Sequence, residues 1–323
     1  MKEYNIVVSF RTAGGQKEKI NELLSGKGRV NFLKEVPAEN KNSVLSSADI
    51  LIAWNPLSEM KNADKKIFER LKFVQLLSAG FDHINVDQFP HDCVIASNNG
   101  AYAEPMAEHV TAMILAMYKN LLPQHRSMTE GKFDQLVESR ALKNSVCGII
   151  GFGGIGKTTA KLLKPFGVKI YAVNTSGKTG EEVNFIGTLN NLDYVLSNSD
   201  IIVLSLPLNE STKGLISKRE LELMKSDGMI INVARGPIIE EKDLFNHLKN
   251  NKNFLAGTDV WWNEPFINGT FKLNYPFFEL PNFLGSPHNS AVVPGALLNG
   301  AELAIRNVIN FIEGKEVSGI INK

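Results

Sequence analysis

Short apolar runs of strand length alternate with amphipathic runs of helix length along almost the whole chain, a pattern that predicts parallel sheets joined by crossover helices. Tyr4–Phe10, Val30–Val36, Asp49–Ala53 and Phe73–Leu77 read as strands of a first unit, with helices expected near Gln16–Leu24, Lys41–Ser47 and Glu59–Arg70. A second series follows, with strands expected at Val146–Ile150, Lys169–Val173, Ile201–Leu204, Met229–Val233, Phe254–Thr258 and Phe283–Ser286. Between the two lies Glu104–Leu122, which opens with Pro105 and is apolar over most of its surface, so a buried connecting helix is expected there. A last long helix is expected over Pro294–Phe311. The 323 residues are long for one hydrophobic core and comfortable for two.

Composition narrows the class of protein. The formal net charge of +1 gives no global field that would draw the chain to nucleic acid or to an anionic membrane. No stretch approaches the roughly 18 apolar residues of a membrane span. The apolar run before Arg11 is too brief for a signal segment and reads as a first strand. Cys93 and Cys147 sit among apolar or small residues and read as buried free thiols of a reducing compartment. A cytoplasmic protein without nucleic-acid or membrane partners is expected.

Residues 151–158, GFGGIGKT, stand directly between the strand VCGII and a helical run, and they fit two phosphate-binding motifs. Gly151, Gly153 and Gly156 spell the dinucleotide turn: one glycine for the bend, one for close approach of backbone to pyrophosphate, one for helix–strand packing. The same letters spell the triphosphatase cradle, with Lys157 and Thr158 in its signature positions. A dinucleotide turn is usually followed about 20 residues later by an acidic residue for the ribose hydroxyls, yet YAVNTSGK places Asn174 there. A triphosphatase would want an Asp at the end of an apolar strand for magnesium, and Asp200 precedes its strand instead.

Three further segments place polar side chains just beyond expected strands, where α/β sheets form ligand crevices. They are MIINVARGPIIEEKDL with Arg235, LAGTDVWWNEP with Glu264, and LGSPHNSA with His288. Singly, each has an ordinary explanation as an ion-pair residue, a solvated loop residue or a helix cap. Three of them at the same kind of strand end, downstream of a dinucleotide turn, point to one site. Glu264 opens Trp261–Pro281, an irregular stretch of a length that is usually functional.

Together with LKFVQLLSAGFDHI, SNNGAYAEPMAEH, VCGIIGFGGIGK, LSLPLNEST and NVARG, these segments resemble the D-isomer-specific 2-hydroxyacid dehydrogenases, in family order over most of the chain. The resemblance implies an α/β fold of two doubly wound parallel-sheet domains, the central one a Rossmann dinucleotide-binding domain. It implies a discontinuous substrate-binding domain, 1–101 plus 288–323, and a nucleotide-binding domain, 102–287, closing on the substrate. Arg235 would pair with the substrate carboxylate and polarise its carbonyl. His288 would exchange the proton of the carbonyl oxygen, and Glu264 would fix the imidazole tautomer. The amides of Ala79 and Gly80 would clamp the carboxylate. Gly151, Gly153, Gly154, Ile155, Gly156, Asn174, Thr175, Ser176, Lys178, Pro207, Thr212, Val233 and Asp259 would surround the cofactor, with Asp259 accepting from the nicotinamide carboxamide. The histidines at 83, 91, 109, 125 and 247 match no catalytic motif and are taken as structural or surface residues.

NAD(P) is the implied cofactor, with NADP favoured: a carboxylate at position 174 would repel a 2′-phosphate, whereas Asn174, Thr175, Ser176 and Lys178 offer neutral donors and a cation. The loop after the third strand, IAWNPLSEM, carries no Arg or Lys before Lys61, so a small unphosphorylated 2-oxo acid such as glyoxylate, hydroxypyruvate or pyruvate is expected. A homodimer is implied, with Glu104–Leu122 a candidate interface. A dinucleotide-sensing binding protein and a triphosphatase are the alternatives.

Overall fold

The computed structural model describes residues 3–60, 65–265 and 269–322. The chain divides into two compact units, Met1–Tyr102 with Val293–Lys323, and Ala103–Val292.

In the first unit β1 (Tyr4–Val8), β2 (Gly28–Phe32), β3 (Ile50–Ala53), β4 (Phe73–Leu76) and β5 (Val94–Ala96) form a parallel sheet in the order β2-β1-β3-β4-β5. Central parallel strands are covered on both faces, which is why β3 and β4 are buried at every position. The polar exception, Gln75, accepts a 2.6 Å hydrogen bond from Asn307 of the helix Ala296–Ile312. That helix also buries Ala301, Ala304, Ile305 and Val308 among the side chains of this sheet, so the last helix belongs to the first unit.

The second unit is a seven-stranded parallel sheet in the order β12-β11-β10-β9-β6-β7-β8. Its strands are β6 (Val146–Ile150), β7 (Lys169–Val173), β8 (Phe185–Gly187), β9 (Ile201–Leu204), β10 (Met229–Asn232), β11 (Leu255–Thr258) and β12 (Phe283–Gly285). From β6 the chain winds outward through β7 and β8, then returns to lay β9 on the other side of β6. At such a reversal the loops leaving two neighbouring strands part and open a ligand crevice. The fold is therefore α/β with two parallel sheets, as the alternation predicts.

Three local expectations change. β5 and β8 are additional edge strands of three residues each, too short to show a pattern. The long helix splits into Ala103–Tyr118 and Leu121–Thr129, because Asn120 turns left-handed at φ 52°, a conformation asparagine tolerates better than most residues. Of the expected helix Glu59–Arg70, only Glu59 among the described residues is α-helical, as the last residue of a short helix, Pro56–Glu59, and Lys65–Phe68 form a single 3-10 turn; 61–64 lie outside the described residues. Ala103–Tyr118 buries Val110, Met113, Ile114 and Met117 against Cys147, Ile149 and Ala160 of its own unit.

Candidate active site

The glycine turn stands at the end of β6. Gly151 has φ +100°, and a Cβ there would come within 2.6 Å of the Ser205 and Leu206 backbone at the end of β9, so only glycine lets the two strand ends approach. A Cβ on Gly156 would meet the Gly151 carbonyl at 2.6 Å. A Cβ on Gly153 would meet nothing within 4 Å. That open face lies at the start of the helix Gly154–Leu163, whose first amides suit an anion. The turn therefore fits a pyrophosphate.

It fits a triphosphatase poorly. The helix begins at Gly154, so the Lys157 amide already donates to Gly153 O at 2.9 Å. The Thr158 hydroxyl is turned inward onto Gly154 O at 3.0 Å rather than offered to a metal. Asp200 accepts from the Val146 amide and from Lys225, at the opposite end of the sheet from the turn.

Beyond β7, Asn174 spends its side chain on its own loop. Its Oδ1 accepts from the amides of Ser176 and Gly177 at 3.1 and 2.7 Å, and its Nδ2 donates to Lys178 O at 2.8 Å. The Ser176 hydroxyl, though exposed, lies within the same ring of bonds, which leaves Thr175 and Lys178 as the exposed polar side chains outside that ring. Beyond β9, Thr212 likewise closes its loop, its hydroxyl donating to Pro207 O and accepting from the Asn209 amide, both at 2.8 Å. Val233 is buried, Pro207 exposed, and Ile155 partly buried against the core.

Arg235, Glu264 and His288 follow β10, β11 and β12, three adjacent strands, and so reach the same edge of one sheet. Arg235 donates to Ala234 O at 2.7 Å. Glu264 is 3 % exposed; its Oε1 accepts from the Trp261 amide at 2.7 Å, and its Oε2 lies 2.8 Å from His288 Nδ1. A cavity of about 530 Å³ adjoins the pair, walled by Trp261, Phe271, Phe278 and Pro287. Apolar walls reduce screening and strengthen the pairing of a carboxylate with an imidazole.

His288 has a left-handed backbone, φ 52°, which costs a non-glycine residue about 1 kcal/mol. Asp259, at the end of β11 and fully buried, supplies the compensation. Its carboxylate accepts from the amides of Asn289 and Ser290 at 3.1 and 3.0 Å and from the Ser286 hydroxyl at 2.5 Å, bracketing His288 on both sides. This second duty of Asp259, and any part for Ser286, are absent from the sequence-based assignment; the only hint is the nearness of Ser286 to His288 in SPHNSA. In the first unit, Ala79 and Gly80 follow β4, and among the described residues their amides donate no hydrogen bond.

A glycine turn at a strand reversal, with three strand-end polar groups on the same sheet, defines a dinucleotide-binding α/β protein. The model of the family described as "D-isomer specific 2-hydroxyacid dehydrogenase, NAD binding domain" matches residues 111–290, more than half of the chain. The chain belongs to that family. Over 302 residues it is 28% identical to glyoxylate reductase of Thermococcus gammatolerans, covering 90% of this chain and 87% of that one. Among solved structures, a glycerate dehydrogenase related protein from Thermoplasma acidophilum aligns at 28% identity and TM-score 0.63, over 95% of this chain and 99% of that one. A D-isomer specific 2-hydroxyacid dehydrogenase from Xanthobacter autotrophicus, solved with NADPH, shares the fold at TM-score 0.79 and 22% identity, over 99% and 98%.

Proposed function

We propose that this chain reduces a small unphosphorylated 2-oxo acid, of the glyoxylate, hydroxypyruvate or pyruvate class, to the 2-hydroxy acid at the expense of NAD(P)H. The observation that carries the proposal is the Glu264–His288 contact at the strand edge that also presents Arg235. The bound carrier supplies the hydride, and the glycine turn holds its pyrophosphate. With Nδ1 engaged by Glu264, Nε2 of His288 gives its proton to the carbonyl oxygen during reduction and recovers it during oxidation. Arg235 forks onto the substrate carboxylate and polarises the carbonyl. In the resemblance, Ala79 and Gly80, of a substrate-binding domain 1–101 plus 288–323, would add amide donors for the carboxylate. Asp259 Oδ2, which takes one donor from Ser290, has a further lone pair for the carboxamide.

NADP is favoured as carrier because the end of β7 presents an exposed Lys178 and no carboxylate. An unphosphorylated substrate is favoured by Glu59. Its carboxylate accepts from the amides of Trp54 and Asn55 at 3.0 and 2.9 Å, filling with negative charge the loop where a phosphate would need cations. Lys61 lies outside the described residues.

Among the described residues no helix is long and apolar enough to cross a membrane, and both thiols are buried; we place the protein in the cytoplasm. We also assign it a homodimer, through the exposed apolar side chains Leu121, Leu122, Met128, Phe133 and Leu136. The apolar face of Ala103–Tyr118 is covered within its own unit, which moves the interface to the residues after it.

The test is nicotinamide absorbance with each oxo acid, its phosphorylated analogue and both carriers. Turnover of the unphosphorylated acids supports the proposal. No turnover with any of them would sink it, and a preference for phosphorylated analogues would sink the substrate class.

A further inference from the structure

One histidine without an assigned role faces the site from behind. His109, on the helix Ala103–Tyr118, places Nε2 2.9 Å from Ser286 Oγ and 3.9 Å from Asp259 Oδ1. Ser286 Oγ in turn lies 2.5 Å from that same carboxylate oxygen.

The order His, Ser, Asp differs from a nucleophilic triad, in which the histidine stands between the other two and removes the serine proton. Here the serine stands in the middle. Asp259 already accepts two amide N–H bonds, and the Ser286 hydroxyl donates to the same group, so the single proton of Ser286 is spent there. Ser286 Oγ must then accept from His109, which fixes the hydrogen on Nε2. The chain of bonds runs from His109 through Ser286 to Asp259, and from Asp259 to the amides that follow His288. Trp261 Nε1 holds the other side of Ser286 through its carbonyl at 2.8 Å.

We propose that His109 and Ser286 are positioning residues for the proton transfer at His288. They keep the Asp259 carboxylate oriented so that it can hold the left-handed backbone of the histidine, and so keep the imidazole on Glu264. The proposal rests on His288 being the acid/base group. A misplacement of about 1 Å at a reacting group costs about 100-fold in rate, so loosening this chain reads out first in kcat.

The experiment compares His109→Leu, His109→Gln, Ser286→Ala and Ser286→Thr with the wild type. It measures kcat at saturating oxo acid and carrier, carrier Kd by nicotinamide fluorescence, and amide hydrogen exchange across residues 286–292. His109→Leu and Ser286→Ala are expected to lower kcat about ten- to a hundredfold, to weaken carrier Kd by less than that because Asp259 also faces the carboxamide, and to speed exchange at Asn289 and Ser290. His109→Gln and Ser286→Thr, which keep a donor and a hydroxyl, are expected to recover most of kcat. Unchanged kcat in both apolar variants overturns the proposal, as does a fall in kcat with unchanged exchange, or conservative variants no better than apolar ones. Should the wild type reduce no 2-oxo acid, the functional proposal above fails, and exchange alone decides this one. Faster exchange in the apolar variants then supports the clamp, and unchanged exchange overturns it.

Discussion

Glu264 Oε2 lies 2.8 Å from Nδ1 of His288, and in the proposed mechanism this pairing decides which ring nitrogen is presented for proton transfer. Because Glu264 is itself held by the Trp261 amide, the imidazole is fixed to the β11 loop as well as to its own strand end. Glu264→Gln keeps the size and removes the charge. A fall in kcat of about a hundredfold with carrier Kd unchanged is expected, read by steady-state kinetics and fluorescence titration. A loss confined to carrier binding would contradict the assignment.

In the proposed function Asn174 would act on carrier choice through its loop. Asn174→Asp retains an acceptor for the amides of Ser176 and Gly177 while adding the charge that repels a 2′-phosphate. The ratio of kcat/KM for NADPH over NADH is expected to fall by about tenfold or more, a difference of about 1.4 kcal/mol in the two transition states. An unchanged ratio would show that discrimination lies elsewhere.

Phe133 and Leu136 are 71% and 88% exposed in the single chain, a costly arrangement for two large apolar side chains close in sequence. Sedimentation of the wild type is expected to give a dimer, and that of Leu136→Glu combined with Phe133→Ser a monomer. A monomeric wild type would remove the assignment.

His247 stacks edge-on against Phe254 at 4.5 Å, and its Nε2 is buried without a hydrogen-bond partner among the described residues. Burial lowers its pKa from the ordinary 6.5, against a smaller opposing effect of Glu222. The unfolded chain therefore binds the proton more readily, so stability is full above pH 6.5 and is lost as pH falls below it. His247→Gln is expected to lose less Tm than the wild type between about pH 7.5 and about pH 5.5. Equal losses would place the acid sensitivity in other groups.

What was legible in the sequence follows from how parallel sheets bury their strands. Central strands such as IIVL and MIIN are covered on both faces and read as unbroken apolar runs. Edge strands of three residues, VIA and FIG, carry no such signal. Arg235, Glu264 and His288 could be grouped because Arg235 and His288 stand just past strands and Glu264 opens the loop after another, and the sheet order sets those strands side by side. The bracket around His288 was not legible, because Asp259, Ser286 and His109 come from two different strand ends and a distant helix. Nor could the letters show that the side chains of Asn174 and Thr212 close their own loops. That distinction depends on backbone angles, which a motif does not carry.

The central claim is that His288 carries the proton. Wild type and His288→Ala should be compared for NAD(P)H oxidation by the best oxo acid of the panel, with carrier binding measured in parallel. The account predicts a fall in kcat of about 100- to 10,000-fold with carrier Kd nearly unchanged. Turnover at the wild-type rate in His288→Ala would contradict it.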